Sequence, residues 1–270
     1  MPKQLVEDKS STLLQGQKSG HQSAFSLCPN EIQIWYAKPQ AFNNAVIQER
    51  FRSWLSPEEL TVLEGFRFER HRHTYLVAHA LTRAALSLSL EIKPSAWQFH
   101  TNTFGKPFIA PPLDTHGIHF NLSHTEGMVA VAMTKLGAIG IDVESINRET
   151  SILELASDIL STSEHLDLRQ QSKAEQHTRL LKYWTLKEAF VKATGFGLKS
   201  GLQSHAFDLE AQPHPRLLTQ TDTQPTDWLF RQFTLPSGHI LALAHHQPDT
   251  DNTFVSLKEA LWLQESAELG

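Results

Sequence analysis

The sequence predicts an α+β fold made of two related halves. Patterns typical of strands and of helices come in runs along the chain instead of alternating strictly, which favours an α+β class. The order "strand, helices, short strands" occurs twice, with a join near residue 136. The two halves share this order of elements but no sequence repeat. Two related halves packed side by side would place a cleft between them, and such clefts often bind ligands.

Composition excludes several classes of protein. Of 270 residues, 40% are hydrophobic and 20% are charged, which is ordinary globular usage. The net charge of -5 argues against a non-specific nucleic-acid binder but leaves room for a local basic pocket. The single cysteine, Cys28, excludes an internal disulfide and a cysteine-based zinc site. No apolar run is long enough to cross a bilayer, and residues 1–24 resemble no signal peptide, so we expect a cytoplasmic protein without membrane contact.

The first half is expected over residues 25–136, after a polar tail at 1–24 that has the composition of a disordered segment. Its first strand is Glu31 to Tyr36, where apolar residues alternate. A helix begins at Ser56, because Pro57 suits the first helical position and Glu59 completes a capping box. Helical spacing continues to Leu90 with a break near Gly65. Three short strands follow at Ala96 to His100, Gly117 to Ser123 and Met128 to Thr134.

The second half is expected over residues 137–248. It begins with a strand from Ala138 to Glu144, followed by helical segments at Ser151 to Leu160 and Lys173 to Thr194. Strands return at His205 to Leu209, Trp228 to Leu235 and His239 to His245, with a surface loop predicted at Gln212 to Asp227. Residues 249–270 form a C-terminal tail, in which a last helix is predicted around Phe254 to Leu263.

Two acidic residues lie on one face of the strand from Ala138 to Glu144. Alternate side chains of a strand face the same way, so Asp142 and Glu144 share the face opposite the apolar residues, beside the bare backbone of Gly140. Two carboxylates this close repel each other unless a cation lies between them, and Mg²⁺ prefers such oxygen ligands. The alternative is a strand end that reaches solvent, where acidic residues are common.

A second candidate is the helix around Trp184, Glu188 and Lys192. Residues four apart lie on one helix face, so these three form a stripe. A surface ion pair between Glu188 and Lys192 is the simple interpretation. The neighbouring apolar residues nearly surround the helix, however, which predicts burial, and a buried Glu and Lys require partners such as a metal or a phosphate.

Three further segments carry weaker signals. Ser123 and His124 end a predicted strand, but adjacent strand residues point to opposite faces and no nucleophile elbow surrounds the serine, so a hydrolase triad is a poor interpretation. A histidine that closes a turn or binds phosphate fits better. Lys106 lies in a tight Gly-Lys-Pro turn, which by itself is typical of an exposed lysine. A basic run from Arg67 to His73 could line an anion pocket or form a solvated helix face.

Four of these segments together resemble one known family. Gly105-Lys106-Pro107, Phe120 to His124, Ile139 to Glu144 and Trp184 to Lys192 occur in that order and at suitable spacing. The set closely resembles the 4′-phosphopantetheinyl transferases of the Sfp type, over about Ile32 to His246. Members transfer the phosphopantetheine arm of coenzyme A to a serine of an acyl or peptidyl carrier protein, release 3′,5′-ADP and use Mg²⁺. The family fold is a pseudo-dimer of two similar α/β halves with the site at their junction.

The resemblance also implies roles for individual residues. Asp142, Glu144 and Glu188 correspond to the Mg²⁺ carboxylates, and Lys192 to a lysine that meets the phosphates. Lys106, Ser123 and His124 correspond to coenzyme A contacts, with His124 near a phosphate. Glu164 lies where many members carry a candidate general base; a water on the metal beside Glu144 is the alternative.

One position departs from the family pattern. Many relatives carry an arginine where this chain has Thr74, nine residues before Arg83. Arg72 or Arg70 is the expected replacement for its phosphate contact. Two alternative functions are a non-catalytic module that binds coenzyme A or a carrier, and a metal-dependent phosphodiesterase acting on coenzyme A. Because the two halves already pair within one chain, we expect a monomer.

Overall fold

Within the described residues, the two larger β-sheets are each covered by one helix of 22 residues. The structure is a computed structural model that describes residues 26–148, 152–195, 197, 201–218, 227–246 and 253–264. Its helices are α1 (Ala45–Trp54), α2 (Pro57–Gly65), α3 (Glu69–Leu90), α4 (Ala156–Ile159), α5 (Thr162–Gln170) and α6 (Lys173–Thr194). Its strands are β1 (Glu31–Ala37), β2 (Phe99–Thr101), β3 (Pro107–Ile109), β4 (His119–Thr125), β5 (Met128–Thr134), β6 (Ile139–Ser145), β7 (Ala206–Asp208), β8 (Arg216–Leu218), β9 (Trp228–Leu235), β10 (His239–His246) and β11 (Phe254–Glu259).

The first half contains a four-stranded sheet in the order β11-β1-β5-β4. Strand β1 pairs antiparallel with β5 and parallel with β11, and β5 pairs antiparallel with β4. Helix α3 packs across this sheet and contributes much of the first hydrophobic core. The predicted start and break of the helical region are confirmed: Ser56 and Glu59 form a capping box at the start of α2, which ends at Gly65.

The second half contains a three-stranded antiparallel sheet in the order β6-β10-β9. Helix α6 packs on β6 and β10 and forms a second core with them. Two small hairpins, β2-β3 and β7-β8, complete the described strands of the two halves. The α+β class and the pairing of two α/β halves are therefore confirmed.

The two sheets meet at strands β4 and β6. The side chains of β4 bridge this junction: Ile141 donates its backbone N–H to Asn121 Oδ1 at 2.9 Å, and Val143 donates its own to Ser123 Oγ at 3.4 Å. A third hydrophobic core lies between the sheets and draws residues from both, including Ile34, Ile141 and Leu241. All seven residues of β5 are buried, as expected for a strand covered on both faces.

The C-terminal segment corrects one prediction. The helix expected around Phe254 to Leu263 is wrong, because residues 254–259 form strand β11 and only Leu261–Gln264 make a short 3₁₀ turn. Ile32, Ile34 and Tyr36 of β1 pair with Val255, Leu257 and Glu259, so this segment belongs to the first sheet. The predicted tail at 1–24 lies outside the described residues.

No helix among the described residues combines the length and the apolar character that crossing a bilayer requires.

Candidate active site

Three of the predicted site residues meet where the two halves join. Asp142 on β6 is buried, and its Oδ1 accepts hydrogen bonds from Lys192 Nζ at 2.6 Å and from Ser123 Oγ at 2.9 Å. Lys192 Nζ also donates to Ser123 Oγ at 3.0 Å. Strand β4 from the first half, and strand β6 and helix α6 from the second, each supply one member. The junction of the halves thus brings a serine of the first half together with two charged groups of the second.

A glycine allows α6 to approach β6 closely enough for this contact. A Cβ atom added at Gly140 would lie 2.0 Å from the Ala189 carbonyl oxygen and 2.4 Å from the Ala193 backbone nitrogen. Such separations are far below contact distance, so only glycine fits here. The predicted faces of the strand are confirmed, because Ile139, Ile141 and Val143 lie in the core between the sheets while Gly140 and Asp142 face α6.

Glu144 lies two residues further along the same face of β6. Its Oε1 accepts a hydrogen bond from Trp184 Nε1 of α6 at 3.1 Å, and its Oε2 accepts one from Thr125 Oγ1 of β4 at 3.2 Å. Arg148 Nη1 lies 3.7 Å from Oε1. Burial raises the pKa of Glu144, and the negative charge of Asp142 raises it further. The sequence signals did not single out Thr125 or Arg148 as partners of this carboxylate.

Glu188 is the third carboxylate of the site. Burial is the main reason that its pKa rises to about 6, with a further contribution from the charge of Asp142. Lys192 opposes this rise and Glu144 adds to it. Asp142 and Glu144 both raise the pKa of Glu188, so the three acidic groups lie close enough to influence one another electrostatically. Within the described residues, no side chain donates a hydrogen bond to the Glu188 carboxylate.

The donor set fits a divalent cation that prefers oxygen. Asp142 Oδ2 is buried and has no hydrogen-bond partner among the described residues, which leaves one carboxylate oxygen available to an ion. Among the described residues, no group of three or more His, Cys, Asp or Glu side chains stands ready to hold a metal ion. Magnesium does not require one, since it usually takes one or two carboxylates together with substrate phosphates and water. The residues present therefore fit Mg²⁺ bound together with a phosphate-bearing substrate.

His124 lies at the edge of this site on β4, part of its surface open to solvent. Loss of solvation lowers its pKa first, and the nearby charges of His79, Lys192 and His71 lower it further against an opposing effect of Asp142. His124 is therefore a neutral imidazole at pH 7, which interacts through an N–H donor and not through charge. His71 and His79 belong to α3. The i, i+4 and i+8 spacing of His71, Tyr75 and His79 along α3 is the sequence signal that could have pointed to them.

Lys106 lies beside the C-terminal end of α6, next to the last turn that contains Lys192. Its ammonium donates to the carbonyl oxygens of Ile139 at 3.0 Å and Ala193 at 2.9 Å. Burial lowers the pKa of Lys106 to about 8. This lysine is thus held within the junction of the halves, and not in the exposed turn position that its sequence context alone indicates.

The two arginines expected to replace the missing one make contacts near the start of α3. The Arg72 guanidinium donates to Glu69 Oε2 at 2.5 Å and to the Phe66 carbonyl at 2.8 Å. The Arg70 guanidinium lies 6.0 Å from the centre of the Phe68 ring. Thr74 donates its hydroxyl to the Arg70 carbonyl within the helix. The groups of α3 that act on His124 are the histidines, and neither arginine is among them.

The structure does not bring Glu164 to this site. Glu164 is 1% exposed and accepts hydrogen bonds from the backbone of Ser161 at 2.7 Å and of Phe207 at 2.8 Å. Its Oε2 also lies 2.7 Å from the buried ammonium of Lys187. Both oxygens are thus occupied inside the second half, where the carboxylate caps α5 and neutralises a buried lysine. The Ser161-to-Glu164 spacing is itself the sequence signal for such a cap.

Two family models and a known protein match most of this chain. A model of the 4′-phosphopantetheinyl transferase superfamily matches residues 138–244, and a model of the N-terminal part of a 4′-phosphopantetheinyl transferase matches residues 35–136. The 4′-phosphopantetheinyl transferase Sfp of Bacillus subtilis is 30% identical over 215 residues, which cover 79% of this chain and 92% of that protein.

Two further proteins show similarity. A phosphopantetheinyl transferase of a Thraustochytrium species is 28% identical over 237 residues, covering 83% of this chain and 82% of that protein. The match to the solved structure of holo-[acyl-carrier-protein] synthase from Thermotoga maritima covers 42% of this chain and 64% of that protein's chain. Its TM-score is 0.34 and the sequence identity is 24%.

Proposed function

The chain belongs to the 4′-phosphopantetheinyl transferase family, and from this membership we propose that it transfers the 4′-phosphopantetheine arm of coenzyme A to a serine of an acyl or peptidyl carrier protein. The products are the holo-carrier and 3′,5′-ADP. The observation that carries the assignment is the site at the junction, where Asp142, Ser123 and Lys192 form one network beside Glu144 and Glu188. The relatives are named as transferases, which does not support the two other functions, a non-catalytic module or a phosphodiesterase.

Asp142, Glu144 and Glu188 are the residues that would hold Mg²⁺. When bound, the ion supplies positive charge that offsets the charge gathering on the phosphate oxygens during transfer. The Oδ2 of Asp142, which has no hydrogen-bond partner among the described residues, supports this role. The pKa values of Glu144 and Glu188 are raised first by burial and then by the charge of Asp142, and a cation would relieve both effects.

The side chains around the carboxylates orient the coenzyme. Lys192 places an ammonium at the centre of the site, where it adds a second positive charge toward the diphosphate. His124, neutral at pH 7, presents an N–H that can donate to a phosphate oxygen without paying the desolvation of a charged ring. Ser123 fixes the position of Lys192 and is expected to lie against the coenzyme.

The reaction exchanges one P–O bond for another. The carrier serine hydroxyl attacks the β-phosphate of the coenzyme diphosphate, and the bond from that phosphorus to the 3′,5′-ADP oxygen breaks. The enzyme needs no nucleophile of its own, so it must only accept the serine proton and stabilise charge. We assign the proton to Glu188, whose carboxylate carries no hydrogen bond from the described residues and faces the other two acids. Glu164 is occupied elsewhere and takes no part in this step.

Carrier modification followed by mass spectrometry tests the proposal. The protein is incubated with an apo-carrier, coenzyme A and Mg²⁺, and the carrier is weighed before and after. We expect a gain of one phosphopantetheine per carrier and an equal release of 3′,5′-ADP. No gain with any of several acyl and peptidyl carriers contradicts the function. Release of 3′,5′-ADP without a carrier identifies hydrolysis instead of transfer.

We also propose that the protein acts as a monomer in the cytoplasm. The junction of the two halves already assembles the site from one chain, because β4 and α6 supply Ser123 and Lys192. Light scattering of the purified protein measures its mass in solution, and a dimer would contradict the monomer.

A further inference from the structure

We infer that Lys106 and Asn102 act as a clasp that positions α6 against β6, and so sets the spacing of the acidic groups in the site. Both residues lie in the turn between β2 and β3 of the first half, whereas the elements that they hold belong to the second half. The inference rests on the proposed function, because it concerns how that site is kept in shape.

The Lys106 ammonium joins the two elements that supply the three carboxylates. It donates to the carbonyl of Ile139, the first residue of β6, and to the carbonyl of Ala193, next to Lys192 in α6. Strand β6 carries Asp142 and Glu144, and α6 carries Glu188. One ammonium therefore bonds the backbones of both elements at the same end of the site.

Asn102 binds a carbonyl two residues beyond Ala193. Its Nδ2 donates to the Gly195 carbonyl at 3.0 Å, while its Oδ1 accepts from the backbone N–H groups of Phe104 at 2.9 Å and Lys106 at 3.0 Å. The same amide thus shapes the turn that presents Lys106 and binds the end of α6. The last carbonyls of a helix lack partners within the helix, and a positive charge there is favoured by the helix dipole.

Two glycines make this close fit possible. Gly195 follows the last residue of α6 with a φ of +71°, and a Cβ there would lie 3.2 Å from Asn102 Nδ2. Gly140 lets α6 rest directly on β6 at Ala189 and Ala193. With the helix touching the strand at Gly140 and held by the clasp at Ile139 and Ala193, a shift of Ala193 necessarily moves Lys192 and then Glu188 relative to Asp142.

Substitution of the clasp separates a positioning role from a coenzyme contact. Lys106→Met keeps the length of the side chain but removes its donors. We expect the affinity for Mn²⁺, measured by electron paramagnetic resonance with coenzyme A present, to fall about tenfold, as is usual when a partner that orients metal ligands is lost. The KM for coenzyme A is measured at saturating Mg²⁺ in the same variants, and in Asn102→Ala, which leaves the lysine in place, it should stay near that of the unaltered protein. Lys106→Arg, which can still donate to two carbonyls, should restore part of the Mn²⁺ affinity.

Two further variants keep the inference open to refutation. Asn102→Ala removes the bond to Gly195 without touching the lysine, and it should weaken Mn²⁺ binding in the same direction. Phe51→Leu, a substitution in the first core, is the control for a general loss of stability. A raised KM for coenzyme A with unchanged Mn²⁺ affinity overturns the clasp in favour of a coenzyme contact. The clasp is also overturned if the Lys106 variants keep both their Mn²⁺ affinity and their KM for coenzyme A. An equal loss of Mn²⁺ affinity in Phe51→Leu overturns it as well. If the unaltered protein transfers nothing to any carrier, the proposed function fails while the Mn²⁺ comparison still tests the clasp.

Discussion

Asp142 is the residue on which the candidate site depends most. One of its oxygens accepts from Lys192 and Ser123, and the other is buried with no partner in the part of the chain that the structure describes. An unpartnered buried oxygen is unfavourable by itself, and it is common where a site is shaped for a ligand. The ion pair with Lys192 offsets the negative charge of Asp142. The chain can therefore fold with the acidic groups already close together.

Removal of charge from the carboxylates at nearly constant shape tests their role. We expect Glu188→Gln and Asp142→Asn each to lower turnover by more than about 100-fold, because even the outer partners of metal ligands commonly account for 10–100-fold. Thermal unfolding should show that both variants remain folded. Glu49→Gln, which alters an exposed acid of α1, is the matched control. Near-normal transfer by either site variant would contradict the metal assignment.

Glu59 gives the protein a defined sensitivity to acid. Burial alone would raise the pKa of Glu59, but the hydrogen bond and charge of His79, together with the charge of Arg83, lower it to about 2 from an ordinary value of 4.5. Because the folded pKa is the lower one, the stabilisation is complete above pH 4.5 and is lost as the pH falls toward 2. We expect the free energy of unfolding to fall across that range, and to fall less steeply in Glu59→Gln. Equal slopes for both proteins would contradict the assignment.

At the scale of elements, α5 and α6 are joined through a buried ion pair. Glu164 at the start of α5 and Lys187 in α6 are 1% and 0% exposed in their side chains. Lys187 also donates to the carbonyls of Leu202 and His205. This network connects two helices to the segment that leads into β7, and it explains why a charged pair is retained inside the second core.

Neutralisation of Glu164 distinguishes this structural role from catalysis. Glu164→Gln leaves the Lys187 charge buried without its partner, and breaking such a pair typically costs about 3–5 kcal/mol of stability. We expect denaturant unfolding to show a loss of that size, while turnover per folded molecule changes little. Added Lys187→Met should recover part of the loss, since it removes the unpaired charge. A large fall in turnover with unchanged stability would instead make Glu164 the general base.

How far the sequence predicts the elements depends on where their partners lie. Strand β5 and helix α6 were predicted with the bounds that the structure shows, because their patterns are long and bounded by turn residues. Strand β11 was predicted as a helix, since its place in the sheet depends on β1, more than 200 residues earlier. The sequence analysis does not predict helix α5, although Ser161 and Glu164 carry the capping box at its start.

The sequence likewise predicts those features of the site that lie within one element, and not those that depend on contacts between distant segments. The period of a strand put Asp142 and Glu144 on one face, and the period of a helix put Trp184, Glu188 and Lys192 on another. The structure joins the two faces. The carbonyl partners of Lys106 and the action of His71 and His79 on His124 depend on packing between distant segments. No local pattern encodes such contacts, so sequence reasoning could name these groups at most as members of a basic run or a turn.

At the scale of the molecule, the fold crosses the boundary between the halves more than once. Strand β11 follows the second half in sequence but completes the sheet of the first half, where it pairs with β1. The turn with Asn102 and Lys106 belongs to the first half and holds a helix of the second. The site therefore depends on an assembly that neither half supplies by itself.

A chain that ends after Asn252 tests how much the first half depends on β11. This truncation removes the parallel partner of β1, the edge-on contact of Trp262 with Trp35 at 5.3 Å between ring centres, and the bond from Ala260 to the Tyr36 carbonyl. It also removes Leu263, which is fully buried, and burial of one such side chain is worth about 1.5–3 kcal/mol. We expect a lower melting temperature and faster hydrogen exchange in β1 than in β6 and α6, because the second core keeps its own contacts. A chain that ends after Gln264 keeps every described contact and is the control. Equal loss of protection in both halves would show that they unfold as one unit, and unchanged protection of β1 would show that β11 contributes little to the sheet.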